Sequence, residues 1–157
     1  MPPPLLFDTS GIDFGKIQSD VEHIERVNPH RGVMRLLDGV IYMDTDLGRI
    51  IAYHDVLDTE FWVEGHIPGR PLMPGVLIIE AAAQTASFLS LIRLKNAAFL
   101  GFVAADDIKF RGQVEPGDRL IVLEQATEFR PRRCVCKSQA FVGDRLVFEG
   151  TITGMPM

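Results

Sequence analysis

From residue 73 to residue 94 the chain is apolar on every side of the helix it would form, and this stretch constrains everything around it. Its Leu, Ile and Ala residues are good or tolerated helix formers, and Pro74 suits a first helical position. A helix with no polar face has to be enclosed, by protein or by lipid. Pro74 and Glu80 interrupt the stretch, and only residues 81–92 are free of charge, short of the ~20 residues that span a bilayer. The expectation is therefore a core helix wrapped by the rest of the chain, with no membrane span.

The wrapping elements read as strands. Residues 15–28 have Ile17, Val21 and Ile24 at helical spacing and predict one short helix, ended by Pro29. Residues 34–43 and 49–56 are β-rich and joined by "DTDLG", a hairpin. Residues 58–75 hold too much Gly and Pro for regular structure and read as a shaped loop. After the helix, residues 99–110, 119–129, 134–142 and 146–153 read as four strands in a meander, with "EPGD", "RPRR" and "VGDR" as turns. One long helix between runs of strands gives an α+β class, an antiparallel sheet wrapped round the helix.

At 157 residues the chain fits a single domain, 1–157, with residues 1–14 as an N-terminal tail. That tail lacks the basic start and apolar run of a secretory signal. Cys134 and Cys136 lie two apart in a strand, so both thiols face one side and a disulfide between them is strained. Both features fit a reducing cytoplasm. A net charge of −5 argues against general nucleic-acid binding, which needs an excess of Lys and Arg.

Polar residues inside the apolar helix are few, and Glu80, Gln84 and Ser87 fall on one stripe. An ionised carboxylate in a core costs several kcal/mol, or takes up a proton, the state a general acid needs. Fourteen positions earlier His66 sits in "GHIPG", whose Gly and Pro residues hold the backbone in a tight shape, and imidazole is the usual general base near neutral pH. Gly75 opens the helix, where unpaired N–H groups can stabilise an oxyanion. Plainer readings exist for each: a surface histidine, a structural ion pair of Glu80 with Arg70 or Arg111, a packing glycine.

The whole stretch "GHIPGRPLMPGVLIIEAAAQ" closely resembles the signature of the FabZ-type 3-hydroxyacyl-acyl-carrier-protein dehydratases. There Gly-His-Phe-Pro-Gly leads through Met-Pro-Gly-Val to Glu and then Ala-Gln. "VNPHRGVMRLLDGV" is similar to that family's Pro-His-Arg segment and "IKFRGQVEPGDRLIV" to its Val-x-Pro-Gly-Asp strand and turn. The resemblance implies a hot-dog fold whose sheets join two protomers into a homodimer, with a trimer of dimers as the assembly left open beyond it. It implies His66 as the base that removes the α-proton of a 3-hydroxyacyl thioester, and Glu80 of the neighbouring protomer as the group that handles the departing hydroxyl. It also implies Gly75, Val76 and Gln84 as substrate-binding positions, acyl carrier protein as partner, and neither metal nor redox cofactor. The Glu at position 80, where related dehydratase-isomerases carry Asp, favours simple dehydration.

Two departures bear on the substrate: Ile67 replaces the usual Phe, and "AAFLGFVAA" lacks the tyrosine that often gates the acyl tunnel, leaving Phe99 or Phe102 to substitute. Hot-dog domains also include thioesterases and non-catalytic acyl-binding or assembly subunits, so fold alone does not fix function. Cationic residues gather at two places, Arg93 with Lys95 and Arg130 with Arg132 and Arg133, either of which suits an acidic carrier protein.

Overall fold

The computed structural model describes residues 3–157. In chain order it contains helix α1 (Val21–Val27), strands β1 (Gly39–Asp44) and β2 (Arg49–Asp55), helix α2 (Gly75–Leu94), and strands β3 (Leu100–Phe110), β4 (Arg119–Arg130), β5 (Arg133–Val142) and β6 (Arg145–Pro156). The six strands form one sheet in the order β1-β2-β4-β5-β6-β3, with every neighbouring pair antiparallel. The sheet curls round α2, the hot-dog arrangement the resemblance implies.

The elements follow the local signals. Asp20 caps α1 by accepting the His23 N–H, and the chain leaves the helix at Asn28, just before Pro29. The segment before β1 is a 3-10 turn, Gly32–Met34, rather than strand, so the first hairpin is shorter than the β-rich composition suggests. Pro74 stands one residue outside α2, as its cap residue, and no side chain caps that end. At the other end Lys95 takes a left-handed conformation with φ 61° and donates its N–H to Leu91, closing the helix.

The strand order corrects the four-strand meander. β4 already has β2 on one side and β5 on the other, so no edge of it is free for β3. Residues 111–118 instead carry the chain back across the end of the sheet, tied down by Arg111 N–H to Val147 O (2.8 Å) and Met73 N–H to Val114 O (2.7 Å). β3 thus becomes an outer strand paired only with β6, and the meander is confined to β4, β5 and β6.

Two apolar layers result. On the inner face Phe88, Leu89 and Ala82 of α2 pack on Ile50, Val122, Phe148 and Ile152. On the outer face Phe7 of the N-terminal segment packs on Ile41, Ile51, Leu123 and Phe141. That segment is docked: Gln139 accepts the Leu6 N–H and donates to Pro4 O. Residues 1 and 2 of the predicted tail lie outside the described residues. Helix α2 has the length and composition to cross a membrane, but it is the core of this fold, largely buried under the sheet. Its first turns are the exception, with Val76 69% exposed. Both cysteines are free and buried.

Candidate functional site

The loop between β2 and α2 is built of successive turns that fix His66 at three points. Its N–H donates to Trp62 O (2.8 Å), its carbonyl accepts the Leu72 N–H (3.1 Å), and its ring Nδ1 lies 2.7 Å from Leu72 O. Gly69 supplies the positive φ (79°) that folds residues 67–70 back on themselves, and buried Trp62 anchors the start of the turn. A carbonyl oxygen only accepts, so the Nδ1 contact requires the proton on Nδ1. In the neutral ring Nε2 is then left with its lone pair on the exposed side, the form a general base needs.

Glu80 lies farther along, one and a half turns into α2. Its Oε1 accepts Gln84 Nε2 (2.9 Å) and faces His30 Nε2 at 3.5 Å. Its side chain is 30% exposed, less buried than an apolar helix suggested, because the first turns of α2 emerge beside the outer strand β3. Gln84 is fully engaged: Oε1 accepts the Leu36 N–H (2.9 Å), while Nε2 donates to Met34 O (2.6 Å) and to Glu80. One amide thus ties the 3-10 segment to the helix and sets one oxygen of the carboxylate. Ser87 completes the stripe by donating to Asn28 Oδ1 (2.9 Å), and Asn28 donates to Gln84 O (2.9 Å).

Neither structural ion pair considered for Glu80 forms. Arg111 makes two bonds to Glu149 (2.9 and 3.2 Å), and Arg70 donates to Gln113 (3.2 Å). His30, which the sequence reading passed over, is the ring that faces Glu80. Burial pushes its imidazole below the ordinary value, against the pull of the Glu80 carboxylate. The signal that could have marked it was its place in the Pro29-His30-Arg31 segment. His30, Glu80 and Ser87 line a small cavity of about 40 Å³ with Phe102 of β3, one of the two residues considered in place of the gating tyrosine.

At the start of α2 the first N–H groups, those of Gly75 and Val76, have no intrahelical partner. A Cβ at Gly75 would lie 2.8 Å from the Phe110 ring, so that position accepts only glycine without displacing the ring. Within one chain His66 and Glu80 make no hydrogen bond or ion pair with each other: among the described residues the side-chain polar partners of His66 run to Leu72 and those of Glu80 to Gln84 and His30. No group of three or more His, Cys, Asp or Glu among the described residues is placed to hold a metal ion.

The two cationic clusters, separate in sequence, adjoin in space. The Arg93 guanidinium lies 4.8 Å over the Phe129 ring and donates to Thr45 O, while Arg130 and Arg133 flank Glu128 at 3.1 and 3.5 Å. The end of α2 and the β4–β5 hairpin therefore present one surface.

The FabA-like domain family matches residues 28–151, from the Pro-His-Arg segment into β6. The chain belongs to the FabA-like family. The 3-hydroxyacyl-[acyl-carrier-protein] dehydratase FabZ of Streptococcus sanguinis is 40% identical over 135 residues, 85% of this chain and 95% of that protein. The same enzyme of Streptococcus pyogenes is 39% identical over 85% and 96%. Among solved structures, the dehydratase heterocomplex ApeI:P from Xenorhabdus doucetiae superposes with TM-score 0.73 at 15% identity, covering 85% of this chain and 90% of that one. Zebrafish thioesterase superfamily member 2 superposes with TM-score 0.64 at 10% identity, covering 87% and 94%. At such identities these two establish only that the FabA-like chain has the hot-dog fold.

Proposed function

We propose that this FabA-like chain is a 3-hydroxyacyl-acyl-carrier-protein dehydratase of fatty-acid synthesis, with His66 as base and Glu80 as acid. The observation that carries the roles is the His66 ring: Nδ1 is held by Leu72 O and Nε2 is left free. The likeness to the FabZ dehydratases supports the substrate class.

In the proposed reaction Nε2 removes the α-proton of the 3-hydroxyacyl thioester. The thioester oxygen takes up the charge and is received by the Gly75 N–H at the positive end of α2. Protonated Glu80 gives its proton to the β-hydroxyl, the C–O bond breaks, and water and the trans-2-enoyl thioester leave. His66 has gained a proton and Glu80 has lost one, and exchange with solvent resets both. The step is redox-neutral, so the proposed chemistry draws on no redox cofactor. Because Gln84 Nε2 and His30 Nε2 both lie against Glu80 Oε1, Oε2 is the oxygen placed to serve the hydroxyl. Gln84 then acts by placing Glu80, and Val76, exposed at the helix start, is the residue open to the acyl chain.

We assign the pairing of His66 with Glu80 to a homodimer of single-domain protomers. β3 is an outer strand whose free edge carries exposed Phe102, Val103 and Phe110, a surface that invites pairing with a second copy. The acidic carrier protein is assigned to the joined cationic surface of Arg93, Lys95, Arg130, Arg132 and Arg133, in the cytoplasm. The test is an assay with a 3-hydroxyacyl group on the carrier protein. Dehydration raises enoyl absorption without release of thiol; thiol release would mean a thioesterase, and no change at all a binding subunit.

A further inference from the structure

Twelve residues before His66, at the end of β2, lies a second histidine with a different environment. His54 is only 5% exposed. Its Nδ1 is 2.9 Å from Asp38 Oδ2, in the segment before β1, and its Nε2 is 3.1 Å from Glu60 Oε1, in the loop that leads to His66. The second contact lies off the line of the ring N–H, so it is an ion pair rather than a directed hydrogen bond. Ionised carboxylates only accept, and a ring between two of them is best served with a proton on each nitrogen. Burial works against the charged ring, but the hydrogen bond to Asp38 and the charges of Asp38 and Glu60 outweigh it and hold His54 above its ordinary value.

The other charged groups around this cluster are accounted for. Asp38 also accepts Arg35 Nη2 (3.2 Å) and the Asp55 N–H (2.7 Å). Arg35 reaches Glu25 at 3.4 Å, and Asp55 is held by Arg119 of β4 at 2.6 and 2.9 Å. The Glu60 carboxylate has no cation but His54 among the described residues; its remaining hydrogen bond is from the Leu57 N–H at 3.3 Å. The position of Glu60 matters because its carbonyl accepts the Val63 N–H (3.0 Å) and starts the turns through Trp62 that end on His66.

We propose that His54 is a positioning residue: as an imidazolium between Asp38 and Glu60 it docks the loop that carries His66, and the loop loosens when the ring gives up its proton. This rests on His66 being the base only for its effect on turnover. The docking itself has a separate reporter, since buried Trp62 is the protein's sole tryptophan and lies two residues after Glu60. The sign follows from the raised ring: docking is complete below the unfolded histidine value of ~6.5 and is lost as the pH climbs through the higher folded value.

The experiment measures acrylamide quenching of Trp62 and kcat for the dehydration together, between about pH 6 and pH 10, with circular dichroism to exclude global unfolding. For the wild type the expected result is a single-proton rise in quenching of about twofold, with kcat falling about tenfold in step and KM little changed. His54→Lys keeps a cation between the carboxylates that does not titrate until near pH ~10, so its quenching should stay low over most of the range. His54→Gln, neutral throughout, should resemble the alkaline wild type at every pH. Flat quenching in the wild type overturns the proposal, as does the same transition in His54→Lys. If the lysine variant does not fold, the wild-type titration and the glutamine variant decide. A quenching transition with no matching change in dehydration would leave the docking standing and count against His66 as base.

Discussion

His54 and His66 lie on the same excursion of chain, yet one has both ring nitrogens facing carboxylates in a buried pocket and the other has one nitrogen held and one open. Nothing in residue type separates them. The difference is made by what each ring faces: two acceptors with negative charge favour a proton on each nitrogen of His54, whereas one neutral carbonyl orients His66 and leaves Nε2 able to accept. A ring whose proton is held between two carboxylates is a poorer base than one with an open nitrogen, and that sets His66 apart from His54. That comparison can be broken by mutation.

The largest effect should come from the open ring and its partner. His66→Ala and Glu80→Gln are each expected to lower kcat/KM by ~10²-fold or more, with circular dichroism and thermal unfolding close to wild type, because neither side chain holds the core together. An inactive His54→Gln of wild-type stability, beside an active His66→Ala, would reverse the two assignments. The next effect is at Gln84. Gln84→Leu leaves the Leu36 N–H without its acceptor and frees Glu80 Oε1, and is expected to cost roughly 2 kcal/mol of stability and about tenfold in kcat, read by denaturant unfolding and steady-state kinetics.

His54→Gln should act on stability in a pH-dependent way. At neutral pH it is expected to unfold more easily than wild type by roughly 2–3 kcal/mol, since it strands Asp38 and Glu60 beside a neutral group. The gap should narrow as the pH rises past the raised value of the His54 ring, where the wild type loses the same charge. Smallest are the surface charges. Reversing Arg93, Lys95, Arg130, Arg132 and Arg133 one at a time should raise KM for the carrier-linked substrate by a few-fold each, less at high salt, with kcat unchanged.

Much of the arrangement was legible in the sequence because it rests on local rules. The apolar run after Pro74 could only be an enclosed helix, and "EPGD", "RPRR" and "VGDR" became turns where Gly and Pro placed them. The motif carried His66 and Glu80 together. The place of β3 was not legible, since strand order depends on which edge is free after β2 and β5 have flanked β4, and no local residue records that. The Asp38–His54–Glu60 cluster was missed for the same reason, its members sharing no spacing pattern, and His30 could be marked only by its Pro-His-Arg segment, since its distance from Glu80 in sequence hides their contact. The docking of Phe7 on the outer face of the sheet is likewise a tertiary event, in a segment whose composition reads as a tail.

The central claim, a site that takes His66 from one protomer and Glu80 from the other, can be tested by mixing lesions. His66→Ala and Glu80→Gln chains, each inactive alone, are unfolded together and refolded into random dimers, with mixing verified by distinct tags. A mixed dimer then has one site with both lesions and one intact. Mixed dimers are about half of the population and half of their sites are whole, so dehydration should return to roughly a quarter of wild type. If both residues of a site come from one chain, every site keeps a lesion, and no recovery in dimers known to have mixed would contradict the account.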